Sequence, residues 1–224
     1  MRVMVIGAHA DDSEISTGGT IAKFTQSGSE VKIITAIIPH EDIDGIPSKE
    51  TKKRRWEECE NSARVLGAEV EILDLDPYQM WFKRDVVKLL DQKILEFSPD
   101  IVFTHWDHDS HQDHVAIANA TFAATRRNNI SLLMCEQLTL GGITPYSFTG
   151  NTFVDISDTM EAKLESVKAY KSQAQRYKGW LKAIEGLAAF RGHQIGVKYA
   201  EAFESVRILF DIKKNSCTIC GLWP

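Results

Sequence analysis

The chain has 224 residues, with 26 Lys and Arg against 31 Asp and Glu, so its formal net charge is −5. A hydrophobic fraction of 43% and a charged fraction of 25% match an ordinary globular protein and exclude disorder, collagen and coiled coil. The mild acidity argues against a nucleic-acid partner, because phosphate binding needs a basic face. The sequence has no run of about 18 apolar residues, so we expect no membrane span.

The first residues and the cysteines indicate the compartment. The N-terminal segment becomes acidic after a few apolar residues, whereas a secretory signal has a longer apolar region and a cleavage site. The four cysteines are too few and too scattered for a disulfide scaffold. We therefore expect a cytoplasmic protein with one domain over residues 1–212 and a short tail over 213–224.

Short apolar runs alternate with helical patterns along the chain. Four runs rich in β-branched residues predict buried parallel strands at 2–6, 30–38, 70–75 and 101–105. Helical apolar spacing occurs between them, at 18–27, 49–66 and 83–97. Downstream we predict strands at 131–136, 152–154 and 204–210, and helices at 158–172 and 178–191. This order predicts a single-domain, Rossmann-like three-layer α/β fold with a mostly parallel sheet.

Two segments that follow predicted strands are rich in histidine and aspartate. The first strand leads into HADDSE at 9–14, and the fourth leads into 105–114, which holds four of the seven histidines. Because ligands bind beyond the carboxyl ends of parallel strands, these segments have the right position for a site. One His and one carboxylate from the first segment, with a His from the second, can bind Zn²⁺ and leave a position for water.

These segments resemble the motifs of a known family, the PIG-L/LmbE-like zinc-dependent N-acetylglucosaminyl deacetylases. The family's AHPDDxE motif is matched by AHADDSE at 8–14, with Ala10 in place of the usual Pro, and its HxDH motif by HQDH at 111–114. Further similarity at 18–20, 55–58, 66–67, 153–157 and 199–203 extends the resemblance over most of the chain.

The resemblance implies a metal centre. His9, Asp12 and His114 match the family's ligands, and the implied cofactor is Zn²⁺. Sites with two histidines and one aspartate also accept Fe²⁺, so the metal in the cell is left open.

The resemblance also implies the catalytic residues. Asp11 would be the general base that takes a proton from the metal-activated water. His111 would stabilise the oxyanion or help to protonate the leaving amine, and Asp113 would orient a histidine. Arg55 would reach the sugar hydroxyls of the substrate. Structural alternatives are helix capping for Asp11 and Asp113, a loop position for His111 and a solvated helix face for Arg55.

The remaining residues of the second segment are expected to shape the rim of the pocket: His105, Asp107, His108 and Asp109. The preferred function is removal of the N-acetyl group from a small molecule that contains N-acetylglucosamine. One alternative is an amidase for a larger acyl group, with substrate length set by 43–48 and 141–150. A non-catalytic metal-binding or nucleotide-binding module is the other alternative. The family often forms homo-oligomers, so self-association is also expected.

Overall fold

The computed structural model describes residues 1–38, 48–76, 82–138, 143–176, 178–211 and 216–217. The strands are β1 (Arg2–His9), β2 (Glu30–Ile37), β3 (Glu69–Ile72), β4 (Ile101–His105), β5 (Ser131–Cys135), β6 (Thr152–Asp155), β7 (Ala200–Arg207), β8 (Phe210–Asp211) and β9 (Ser216–Cys217). The helices are α1 (Asp12–Gln26), α2 (Ser48–Leu66), α3 (Arg84–Phe97), α4 (Gln112–Thr125), α5 (Met160–Lys168), α6 (Lys171–Arg176) and α7 (Trp180–Ile195).

Strands β1 to β7 form one sheet in the order β3-β2-β1-β4-β5-β7-β6. Strands β1 to β5 run parallel to one another, whereas β7 runs antiparallel to both β5 and β6. Strands β8 and β9 pair separately. The predicted α/β fold with a mostly parallel sheet is confirmed.

Helices cover both faces of the sheet because successive residues of a buried strand point to opposite sides. Val5 of β1 lies in one apolar cluster together with Phe24 of α1. Its neighbour Met4 lies in a second cluster with Leu90 of α3 and Ile117 of α4. The apolar core therefore has two halves, one on each side of the sheet, as the three-layer prediction requires.

Helix α1 begins at Asp12, well before the predicted start at residue 18. Its first turns bury polar side chains, among them Glu14 and Thr17. Such a segment has no apolar stripe, so hydrophobic periodicity does not detect it. Just after the predicted start, the backbone N–H groups of Gly19 and Thr20 donate to the carboxylate of Glu201 at 2.9 and 2.8 Å.

Other boundaries also differ from the predictions. Strand β1 continues to His9, where it still pairs with β2, and the predicted helix 158–172 is divided between α5 and α6. Strand β3 ends at Ile72, and α7 extends to Ile195. Strand β7 begins at Ala200 because it pairs with β6 from that residue onward, so the strand starts earlier than the predicted position 204.

The strand order reverses between β1 and β4. From β1 the chain adds β2 and β3 on one side, and it then crosses over to place β4 on the other. The crevice outside the carboxyl ends of the strands at such a switch point is where open α/β sheets bind ligands. Since Ile6 pairs with Thr104, the segments that follow the two strands emerge side by side.

Within the described residues, no helix is long and apolar enough to cross a membrane. Cys59 and Cys135 are free and buried. Residues 43–47 and 141–142 of the expected rim lie outside the described residues, as does most of the predicted tail. The boundary at 212 therefore stays a prediction.

Candidate metal and catalytic site

A strained turn joins β1 to α1. Asp11 adopts φ +107°, a backbone conformation that non-glycine residues rarely accept. The Asp12 carboxylate stabilises the turn by accepting the backbone N–H of His9 at 2.6 Å, and the Asp11 carbonyl accepts the N–H of Ile15 at 3.0 Å. Asp11 occupies the N-cap position of α1, but its side chain makes no capping hydrogen bond. Strain of this kind concentrates at functional sites, because the surrounding structure must hold it in place.

The Asp12 carboxylate lies at the centre of a histidine cluster. Its Oδ2 atom lies 3.3 Å from His9 Nδ1 and 3.4 Å from His114 Nε2. In a tetrahedral zinc site with bonds of about 2.0–2.1 Å, two ligand atoms stand roughly 3.3 Å apart. The three ligands expected from the sequence are thus brought together, and the distances from Asp12 Oδ2 to the two histidine nitrogens are those of such a site.

Each of these two histidines presents its second ring nitrogen to another carboxylate. His9 Nε2 lies 3.0 Å from Asp113 Oδ2, and His114 Nδ1 lies 2.9 Å from Asp109 Oδ2. Carboxylate–histidine pairs of this kind orient the ring and select its tautomer in metal sites. Asp113 therefore has the contact expected of it. The Asp109 side chain is only 6% exposed and lies against His114, so the expectation that Asp109 shapes the rim is wrong. The one sequence signal for Asp109 is its place two residues before HQDH.

The expectation that His105 is a rim residue is also wrong. It is the last residue of β4 and is buried, and its ring stacks on that of His114 with centroids 3.9 Å apart. Among the residues that the structure describes, two sets of side chains bring possible metal-binding atoms within 4.8 Å of one another: His9, His111 and His114, and Asp12, His105 and His114. His105 Nε2 accepts the backbone N–H of Ala8 at 2.8 Å, so it has no lone pair left for a metal. This favours His9, rather than His105, as the partner of Asp12 and His114.

The negative charge of Asp12 stabilises positive charge on the histidines around it. Although burial opposes a charged ring, the Asp12 carboxylate raises the pKa of His9 to about 9 and that of His114 to about 10. Burial lowers the pKa of His105 to about 4, with His114 adding to the effect, so His105 is neutral. The site therefore favours positive charge around the Asp12 carboxylate. A divalent cation can take the place of the ring protons of His9 and His114.

Arg55 is buried beside Asp11, so the solvated helix face considered for it is excluded. One guanidinium nitrogen donates to Asp11 Oδ2 at 3.0 Å and to the carbonyl of Ala10. The other donates to Glu58 and to Ser172, both at 3.2 Å. Burial raises the pKa of the Asp11 carboxyl to about 6, and the Arg55 charge opposes this rise.

His111 is the most exposed histidine of the cluster, with 41% of its side chain accessible. It is the N-cap of α4, where its Nδ1 atom accepts the backbone N–H of Asp113 at 3.2 Å. The ring proton is therefore on Nε2. Burial beside His9 and His114 lowers the pKa of His111, which keeps the ring neutral.

A further contact was not anticipated from the sequence. The side-chain amide of Gln137, in the segment after β5, donates to Asp12 Oδ1 at 2.8 Å. No motif marks this residue, and only the pairing of β4 with β5 brings it to the site.

The fold is an α/β fold, and its histidines and aspartates cluster at the switch point of the parallel sheet. Such a cluster is typical of a metal-binding site. The chain belongs to the PIG-L family, described as GlcNAc-PI de-N-acetylase, whose pattern matches residues 4–125. It is 30% identical to the diacetylchitobiose deacetylase of Thermococcus kodakarensis, over 93% of this chain and 84% of that protein. The family and this relative support an enzyme of the deacetylase class.

Two solved structures share the fold. The N,N'-diacetylchitobiose deacetylase of Pyrococcus horikoshii has a TM-score of 0.77 and 24% identity, covering 92% of this chain and 83% of that one. The 4-carboxy-2-hydroxymuconate hydratase of Pseudomonas putida KT2440 also has a TM-score of 0.77, with 19% identity, covering 94% of this chain and 99% of that one. Because a hydratase and a deacetylase share this fold, the reaction must be argued from the site.

Proposed function

We propose that this protein is a zinc-dependent N-deacetylase that releases acetate from a small molecule containing N-acetylglucosamine. The observation that carries the proposal is the position of Asp12 Oδ2 between His9 Nδ1 and His114 Nε2, with the buried Asp11 carboxyl close enough to interact electrostatically with Asp12 and His9. Family membership and the deacetylase relative support the same reaction.

The metal ligands would be His9, Asp12 and His114, with Asp113 and Asp109 holding the two rings. Nitrogen and carboxylate ligands of this kind suit Zn²⁺, and Fe²⁺ is the second candidate. When bound, the ion supplies Lewis acidity, which polarises the amide carbonyl and makes water a stronger nucleophile at neutral pH.

Asp11 would act as the general base. Its carboxyl, whose pKa burial raises to about 6, is ionised at neutral pH and is still basic enough to accept a proton from the attacking water. The strained backbone at Asp11 and the hydrogen bond from Arg55 hold this carboxylate in one orientation.

His111 would act on the amide. Its Nε2–H group can donate to the carbonyl oxygen as negative charge develops there, while Nδ1 stays on the backbone of Asp113. The protonated Asp11 carboxyl can then deliver to the departing amine the proton that it took from the water, which leaves Asp11 ionised again.

We also propose a neutral small molecule as the sole substrate class, with no nucleic acid, and a cytoplasmic location. The buried free thiols Cys59 and Cys135 support a reducing compartment. Association into a homo-oligomer is proposed from the family alone.

The test measures acetate release from a panel of N-acetylglucosamine conjugates by enzyme reconstituted with Zn²⁺ or Fe²⁺. Asp11→Asn should retain bound metal and lose about 10²- to 10⁴-fold in kcat, the range for one positioned proton transfer. The exposed Asp85→Asn on α3 is the matched control and should keep full activity.

Other outcomes would point elsewhere. Full activity in Asp11→Asn would remove the general-base assignment. Faster cleavage of longer acyl amides than of acetyl amides would favour the amidase alternative. Metal or nucleotide binding without hydrolysis of any conjugate would favour a non-catalytic module.

A further inference from the structure

The buried face of helix α2 changes from charged to apolar along the helix. Towards its C-terminus it buries Ala63 and Leu66, whereas earlier it buries Arg55 and Glu58. The side chains of these two charged residues are only 5% and 8% exposed. Replacing a buried ion pair by apolar residues of similar volume is often neutral or stabilising, so the core by itself does not require this pair.

Glu58 binds the guanidinium nitrogen of Arg55 that does not contact Asp11. Its Oε2 atom accepts Arg55 Nη1 at 3.2 Å, and the two residues lie about one turn apart on α2. The other nitrogen, Nη2, donates to Asp11 Oδ2 at 3.0 Å. Because a guanidinium is planar and its donors form a fixed fork, a bond at one nitrogen sets the direction of the other. The position of Glu58 is thereby coupled to the contact between Arg55 and Asp11.

Ser172, near the start of α6, fixes Glu58 in turn. Its backbone N–H donates to Glu58 Oε1 at 2.8 Å, and its hydroxyl donates to Glu58 Oε2 at 2.6 Å. The same hydroxyl accepts Arg55 Nη1 at 3.2 Å, and Arg54 Nε lies 3.4 Å from Glu58 Oε1. Both oxygens of the Glu58 carboxylate are thus bonded, which leaves this side chain little freedom to turn.

We propose that Glu58 is a positioning residue for catalysis, which holds the Arg55 guanidinium so that Arg55 in turn orients the Asp11 carboxylate. A catalytic group must stay within about 0.5 Å of its productive geometry, and bonded neighbours behind it provide this precision. Asp11 needs such support, because its backbone has φ +107° and its side chain makes no capping hydrogen bond. The chain of contacts runs from Ser172 through Glu58 and Arg55 to Asp11.

The acceptors around Arg55 favour this role over direct binding of a sugar hydroxyl. Nη1 donates to Glu58 and Ser172, and Nη2 donates to Asp11 and to the Ala10 carbonyl. A hydroxyl would have to displace one of these four acceptors from a side chain that is almost fully buried. The inference rests on the proposed function, because that reaction uses Asp11 as its general base.

The test compares Glu58→Gln with Glu57→Gln, a matched control on the same helix whose side chain is 60% exposed. Either orientation of the new amide turns its NH₂ group towards another donor, that of Arg55 or that of Ser172. Zinc content and acetate release from the N-acetylglucosamine conjugates are measured on the zinc-loaded protein. Glu58→Gln should retain zinc, lower kcat about 10- to 100-fold and change KM less than about twofold, the pattern of a misplaced catalytic group. Glu57→Gln should change neither constant.

Two further measurements show whether Glu58 acts through Arg55. In the Arg55→Lys background, Glu58→Gln should lower kcat further by less than about twofold, because the link is already broken. In NMR spectra of the zinc-loaded protein, the Nη protons of Arg55 should give separate signals, because charge-assisted hydrogen bonds at both nitrogens slow rotation of the guanidinium. Glu58→Gln should merge these signals. Ser172→Ala removes only one hydroxyl and should act in the same direction to a smaller extent, so it replaces Glu58→Gln if that variant does not fold.

Four results would overturn the inference: an unchanged kcat in Glu58→Gln, a rise in KM alone, an equal fall in kcat in both Arg55 backgrounds, or Nη signals that stay separate in Glu58→Gln. If no conjugate releases acetate but the Nη signals depend on Glu58, the proposed reaction fails and the placement of Arg55 by Glu58 stands.

Discussion

The side-chain amide of Gln137 donates to Asp12 Oδ1 at 2.8 Å, while the other oxygen of the same carboxylate faces His9 and His114. This contact fixes which oxygen is presented to a metal. Gln137 lies beyond the segment 4–125 that matches the family pattern, so family membership assigns it no role.

Gln137→Leu should therefore weaken Zn²⁺ binding by about 10- to 100-fold, the usual effect of losing a group that orients a metal ligand. Competition with a chromophoric chelator measures the dissociation constant. Gln92→Leu is the control, because Gln92 also donates its amide to a carboxylate, that of Glu96, at 2.7 Å on the exposed face of α3. Equal affinities in the two variants would show that Gln137 does not position Asp12.

Arg55→Lys should lower kcat by roughly tenfold or more and change KM little. The guanidinium donates at once to Asp11, to the Ala10 carbonyl and to Glu58, and a lysine ammonium cannot reproduce this fork. Steady-state kinetics separates this outcome from the role implied by the family resemblance. If Arg55 binds sugar hydroxyls, KM should rise and kcat should be retained. The neighbouring Lys53→Arg on the solvated face of α2 should alter neither constant.

Glu14→Gln should stabilise the protein at high pH. Burial raises the pKa of Glu14 from 4.5 to about 7, against the hydrogen bond that Tyr170 donates at 2.8 Å. Between these pH values the folded state holds a proton that the unfolded state has released, so stability falls as pH rises. Above pH 7 the buried carboxylate costs up to about 3 kcal/mol, and the glutamine avoids this cost.

Urea unfolding with a chelator present checks this prediction. The advantage of Glu14→Gln over the unchanged protein should grow from pH 5 to pH 8. The exposed Glu165→Gln on α5 serves as the control. An advantage that does not change with pH would show that Glu14 is ionised throughout this range.

Glu201→Leu should destabilise the fold more than Lys163→Met does. Glu201 accepts the buried ammonium of Lys163 at 2.5 Å and two backbone N–H groups of α1, those of Gly19 and Thr20. Its removal leaves the buried Lys163 ammonium without its carboxylate and takes an acceptor from both backbone N–H groups, at a cost of about 3–5 kcal/mol. Removal of Lys163 leaves the carboxylate with both backbone donors, so the loss should be smaller.

Unfolding midpoints at constant m-value measure these losses, and the double variant should recover part of the cost of Glu201→Leu. If Lys163→Met lowers the free energy of unfolding as much as Glu201→Leu does, the hydrogen bonds from Gly19 and Thr20 do not stabilise the Glu201 carboxylate.

The sequence indicated the two segments that form the candidate metal site, because each motif follows a predicted parallel strand. A cluster of polar residues at that position does not contribute to the apolar core, so it points to function. The sequence could not reveal which apparent rim residues are buried. His105 and Asp109 stand beside Asp107 and His108 in the same polar segment, and nothing in their spacing separates them. The difference arises because β4 ends with His105 under α4, while the loop folds Asp109 back onto His114.

By itself, the sequence determined the α/β fold, the family and the histidine and aspartate residues of two motifs, since these depend on local apolar patterns and on the chemistry of adjacent residues. Only the tertiary structure decided which carboxylate contacts which histidine, and that the Arg55 guanidinium donates to the Asp11 carboxylate. It alone also showed that Gln137 reaches Asp12, and that Glu201 binds the backbone of α1. Except for Asp109 and His114, which are five positions apart, these contacts join residues between 44 and 182 positions apart, and the packing of the fold, rather than any local pattern, brings them together.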